Sequence, residues 1–150
     1  MMIPQVRTLL IAGLTALGLL AGPVQADDDG RDILMLVNSD EDQVQGMAMS
    51  MASELAQRDH SVHIILCGEA AELALEENIP SALAPRDISA KELMQEAMSF
   101  GATAEVCHLF LPNSGYRQYE EEDLLEEVTV NNPEEQAEMI SDGDTRVISY

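Results

Sequence analysis

The chain has 150 residues, of which 28 are acidic and seven basic, giving a formal charge of −21. That length fits one compact domain. A surface this negative excludes nucleic acid and anionic membrane surfaces as natural partners.

Residues 1–26 have the pattern of a secretory signal peptide. Arg7 supplies a positive start, and Leu9 to Leu20 is an apolar run broken only by Gly and Thr. That run is shorter than the roughly 20 residues a membrane span needs. Val24-Gln25-Ala26 resembles a cleavage site, and Asp27-Asp28-Asp29 follows at once. No cysteine lies near it, which argues against a lipid anchor, and a lone arginine favours general secretion. Cleavage would leave residues 27–150 as one domain, periplasmic or secreted and free of the membrane. All 28 acidic residues and six of the seven basic ones fall in that part, a charge of −22. Charge of one sign opposes compaction unless salt screens it. A saline exterior would supply that screening. A melting series that gains nothing up to molar salt would reject this expectation.

Asp32 to Asn38 contains five consecutive apolar residues, Ile33 to Val37, as in a strand buried on both faces. Ser39 to Asp42 is a polar loop able to cap the next helix. That helix is expected over Gln43 to Arg58, with Val44, Met47, Ala48, Met51, Ala52 and Leu55 as its apolar stripe. Met49 lies off the stripe, where it could face a subunit partner. The methionines read as core filler rather than metal ligands. Asp59 to Ser61 is a turn, and Val62 to Cys67 a second strand ended by Gly68. Glu69 to Glu77 reads as a short helix and Asn78 to Arg86, with two prolines, as a loop. Ser89 to Glu92 is a capping box opening a third helix with Leu93, Met94, Ala97 and Met98 inward and Gly101 as its C-cap. Ala102 to Leu111 is expected to contain the third strand and, within it, Cys107.

Beyond Pro112, Glu120 to Glu127 reads as a short acidic helix anchored by Leu124 and Leu125, its carboxylates forming a solvated face. Val128 to Val130 is a short strand. Asn132-Pro133-Glu134-Glu135 caps a helix ending near Asp142-Gly143, and Thr145 to Tyr150 is the last strand. Strands alternating with helices imply right-handed crossovers and a parallel sheet with helices on both faces.

Chemistry centres on the two cysteines, Cys67 and Cys107. They form no C-x-x-C pair, so a thioredoxin-like dithiol motif is not supported. His60 and His63 begin the second strand, about 13 Å from its thiol end, and cannot share a metal with Cys67. A zinc site from Cys67, Cys107 and His108 would need Asp40 or Asp42, at spacings unlike known zinc patterns, so no metal and no other cofactor is expected. There is no G-x-S-x-G elbow and no phosphate-cradling glycine loop. Cys107 precedes a chain break at Pro112, which can expose its thiol, and the following turn can aim N–H groups at it. Nearby carboxylates work the other way, by raising a thiol's pKa. A disulfide to Cys67 is disfavoured if the first strand lies between theirs. That spacing would be about 9.6 Å, against a limit of roughly 7 Å between Cα atoms.

In order and spacing these segments resemble the DsrE/DsrF-like sulfur-transfer family over about Asp32 to Tyr150. Ile33 to Asn38 and its polar loop look like the family's first strand, and Met47 to Arg58 like its first helix. Val106-Cys107 before the Gly115 turn looks like its cysteine segment. Asp123-Leu124-Leu125 through Asp142-Gly143-Asp144 to Val147-Ile148 looks like its ending. The resemblance implies a three-layer α/β/α domain with a mostly parallel five-stranded sheet, and assembly into oligomers. It also implies that Cys107 carries sulfur as a persulfide between donor and acceptor proteins or small thiols. His108, Asn38, Ser39 and Asp40 are its expected neighbours. Asn113 and Ser114 stand where the family often has basic residues, and Arg117 is the nearest positive charge. The alternative is a non-catalytic oligomeric binding protein with Cys107 packed and inert.

Overall fold

The computed structural model describes residues 30–115 and 117–150; the signal-peptide reading of residues 1–26 lies outside the described residues. The chain runs through β1 (Asp32–Val37), α1 (Asp42–Ala56), β2 (Ser61–Leu66) and a 3-10 helix at Gly68–Ala74. Next come β3 (Ala82–Leu83), β4 (Ile88–Ser89), α2 (Ala90–Ser99) and β5 (Thr103–Val106). It closes with α3 (Phe110–Asn113), a 3-10 turn at Glu121–Asp123, β6 (Val128–Val130), α4 (Pro133–Ser141) and β7 (Arg146–Ser149). Five strands form one sheet in the order β6-β5-β2-β1-β7, with every pairing parallel. This is the α/β sandwich with a five-stranded parallel sheet that the alternation of elements implies.

The sheet order follows from the handedness of its crossovers. The steps β1 to β2, β2 to β5 and β5 to β6 all move the same way across the sheet. The step β6 to β7 returns over its full width. Right-handed crossovers then place α1, α2 and the 107–127 connection on one face and α4 on the other. The first face holds the core. Ile33, Met35 and Val37 of β1, Val62, Ile64 and Leu66 of β2, and Ala104 and Val106 of β5 pack there against the helices. On the second face Leu34 and Ile65 are buried, while α4 contributes no buried residue.

The apolar face of α1 differs from the expected stripe. Gln45, Ala48, Met49, Ala52, Ser53 and Ala56 are buried, whereas Met47 is 55% exposed. Met49 is therefore core, not a surface contact for a partner. Positions 45, 48, 49, 52, 53 and 56 lie on one helical face. Its small residues let α1 sit close to the sheet and α2, and the larger Met51 and Leu55 fall at its margins.

The caps of α2 and α4 follow the sequence closely, whereas α1 starts at Glu41 without a side-chain cap from the polar loop. The Glu92 N–H donates to Ser89 Oγ at 3.3 Å and the Ser89 N–H donates to Glu92 Oε2 at 2.8 Å, the reciprocal pair of a capping box. The Ser89 donors also hold the Glu92 carboxyl below its ordinary pKa. Asn132 Oδ1 accepts from the Glu134 N–H at 3.0 Å to start α4. Gly101, at φ +100°, ends α2.

Four other expectations change. The 78–86 loop carries β3, which pairs with β4 in a small antiparallel hairpin. The helix expected over Glu69 to Glu77 is instead the tighter 3-10 helix at Gly68–Ala74. The acidic stretch Glu120–Glu127 contains one 3-10 turn rather than a helix. Its carboxylates repel at helical spacing, and its backbone is drawn to another partner. The Glu76 N–H donates to Asp123 O and the Leu125 N–H to Ala74 O, both at 2.8 Å. Finally, β5 stops at Val106, so Cys107 follows the strand rather than lying in it.

Candidate functional site

Cys107 and Cys67 emerge side by side at the C-terminal edge of the sheet. Leu66 and Val106 are register partners at the ends of β2 and β5. The ladder continues one residue further: the Cys107 N–H donates to Leu66 O at 2.7 Å, and the Cys67 N–H donates to Val37 O at 2.9 Å. In a parallel ladder the first of these bonds sets Cys107 opposite Cys67. β1 does not lie between them, because β2 and β5 are direct neighbours. The separation of two strand spacings therefore does not apply. Both thiols are half-buried and free. Sequence separation hides this pairing; only the strand order reveals it.

The connections leaving β5 and β6 depart to opposite faces of the sheet. In open α/β sheets ligands bind in the crevice at such a switch point, outside the carboxyl ends of the strands. Cys107 occupies the first position beyond β5 there. Beside it, the Asn131 N–H donates to Val106 O at 2.7 Å. The buried Asn131 side chain donates to Glu105 Oε2 at 3.0 Å, which ties the ends of β6 and β5 together.

A cleft of about 400 Å³ opens beside Cys107. One wall is Gly68, Glu69 and Glu72, from the 3-10 helix after β2. The other is Leu109, Phe110, Asn113, Ser114 and Gly115. Gly68 has φ +58°, which lets the chain turn sharply away directly after Cys67. The second wall is braced locally. The Phe110 N–H donates to Cys107 O at 2.8 Å, and Ser114 Oγ donates to Leu111 O and Arg117 O at 2.9 and 2.8 Å. The Phe110 ring stacks on Tyr119 with centroids 6.0 Å apart.

The electrostatics are acidic. Glu69 and Glu72 line the cleft, and the nearest sequence cation, Arg117, is engaged elsewhere. It donates to Glu77 Oε2 at 2.8 Å and lies over the Tyr119 ring at 5.5 Å. Burial first, then a hydrogen bond with Cys107, then the charge on Cys107 push the Cys67 thiol up to about 12. Cys67 thus holds its proton at neutral pH.

The other expected site residues are spread along the same edge. His108 is exposed on the turn after Cys107. Asn38 and Ser39 follow β1, one strand beyond Cys67, so β2 separates them from Cys107. The Asn38 carbonyl borders Gly68, whereas Ser39 serves the start of α1. Its hydroxyl accepts from the Glu41 N–H at 3.1 Å and its carbonyl from Gln45 Nε2 at 2.8 Å. Asp40 is exposed. Among the described residues no three His, Cys, Asp or Glu side chains gather as a metal-holding group. No described helix is long and apolar enough to cross a membrane.

Comparison of the sequence with protein-family models and with curated proteins yields no match to either.

Proposed function

We propose that the protein is a thiol-based sulfur carrier of the DsrE-like kind, working as a homo-oligomer in the periplasm or outside the cell. The observation that carries this reading is the position of Cys107: a half-buried free cysteine lining a cleft at the switch point of a parallel sheet. A packed, inert cysteine has no need of that cleft. The thiolate of Cys107 attacks the terminal sulfur of a persulfide donor, R–S–SH. The Sγ–S bond forms, the donor S–S bond breaks, and R–S⁻ leaves with its electron pair. An acceptor thiolate then takes the terminal sulfur in the same manner and regenerates Cys107. Glu69 and Glu72 repel anions at the cleft mouth, which favours donors of low negative charge, small-molecule or protein persulfides among them.

Brief exposure to cysteine persulfide followed by an acid quench tests the reading. Intact mass is expected to rise by one sulfur atom in the wild type and to stay unchanged in Cys107→Ser. A Cys107 that neither gains sulfur nor reacts with iodoacetamide at neutral pH returns the protein to the inert, binding-only alternative.

A further inference from the structure

We infer that Cys67 is the resolving thiol for sulfur held on Cys107. The inference rests on the sulfur-carrier reading and adds a second outcome for the carried atom: release as sulfide rather than transfer to an acceptor.

The argument is geometric. Cys67 and Cys107 stand opposite one another where the β2–β5 ladder ends. Neighbouring strands lie about 4.8 Å apart, inside the roughly 4.4–6.8 Å between Cα atoms that a disulfide spans. Both side chains leave the same face, because alternation along β2 and β5 sets Leu66 and Val106 on the core side and the next residue of each on the other. Each cysteine sits between a strand end and a turn, Gly68 on one side and the Cys107–Phe110 turn on the other. Closure therefore asks for movement only at the last bonded pair of the ladder. Cys107 also lies close enough to act on the Cys67 thiol.

In the step itself the Cys67 thiol loses its proton to water and attacks Sγ of the Cys107 persulfide. The Cys67–Cys107 S–S bond forms and the bond from Cys107 Sγ to the terminal sulfur breaks. That sulfur leaves with the electron pair as hydrosulfide and takes up a proton. Cys67 is oxidised and the departing sulfur is reduced, with no other oxidant involved. Two equivalents of an external small-molecule thiol restore the dithiol by exchange. A Cys67 thiol that keeps its proton slows this step at neutral pH, which leaves time for transfer to an acceptor. Alkali accelerates it by about tenfold per pH unit while the thiolate is the minor form.

The experiment follows full-length wild type and Cys67→Ser over time after a pulse of cysteine persulfide, reading intact mass, free sulfide and non-reducing peptide maps. In the wild type the sulfur adduct is expected to give way to a species two hydrogens lighter than the dithiol protein, with stoichiometric sulfide and a Cys67–Cys107 linked peptide. In Cys67→Ser the adduct persists. An adduct equally long-lived in both proteins overturns the resolving role and leaves the carrier reading standing. No adduct in either protein, Cys67→Ser included, overturns both. The linked peptide is read in the wild type itself, so a poorly folded variant does not decide the result.

Discussion

The stretch from residue 32 to 106 and the stretch from 107 to 150 are built differently. The first supplies β1, β2, β5 and the two helices of the core face, and nearly every buried apolar side chain. The second contributes three buried residues among those described, Leu124, Val128 and Asn131, and its helix α4 buries none. Cys107 is the first residue of the lightly buried part, and its partner Cys67 directly follows a strand in the heart of the firm one. A thiol at such a seam has a fixed base and a yielding cover. Local opening is drawn from regions with few buried apolar contacts, so the 107–115 wall of the cleft is expected to open while the strand ends hold still.

The largest effect should come from the firm part. Met94 of α2 is fully buried, and Met94→Ala should cost about 2–5 kcal/mol through lost burial and a cavity, read as a lower urea midpoint at unchanged slope. Lys91 comes next. It is 9% exposed, and its ammonium donates to Leu75 O at 2.6 Å, Asn78 O at 2.9 Å and Glu76 O at 3.0 Å. These bonds fasten the end of the segment that follows β2. Burial lowers the Lys91 pKa, and the Glu76 charge opposes that shift. Lys91→Met keeps the stem but strands the carbonyls, a loss of about 1–3 kcal/mol. If Lys91→Met unfolds at the wild-type midpoint, that segment belongs with the looser part.

A smaller effect depends on pH. The folded-state pKa of Cys67 lies above its unfolded value, so the thiol favours the fold while both states keep the proton. That contribution is complete below pH 9.0 and is lost as pH rises through about 12. Wild type should therefore lose more stability than Cys67→Ala between about pH 8 and pH 11, and parallel losses in the two proteins would contradict the shift. Least affected should be Ile140→Ala on α4, 49% exposed, with a change within about 0.5 kcal/mol. A change as large as that of Met94→Ala would erase the contrast between the two parts.

Some of this was legible in the residues. The continuous apolar runs Ile33–Val37 and Ile64–Leu66 carry the signal of strands covered on both faces, and Ser89-x-x-Glu92 and Asn132-Pro133 mark helix starts by hydrogen bonds that are local in sequence. The burial of Met49 was not legible, because a helix with apolar residues around much of its girth does not say which face meets the sheet. The failed helix at Glu120–Glu127 was hidden for a related reason, since its backbone pairs with Ala74 and Glu76 from a segment some 50 residues earlier.

What the sequence alone determined is the alternation of strands and helices, the parallel sheet that follows from it, and the presence of a thiol near the end of the third long strand. These depend on periodicity and on caps, which act over a few residues. What the tertiary structure decided is the strand order, and with it the pairing of the two cysteines. Strand order is set by crossover handedness and by which helices share a face, and both act over the whole chain. The 39 positions between Cys67 and Cys107 carry no local mark that β2 and β5 lie next to each other. Adjacency alone brings the two thiols together.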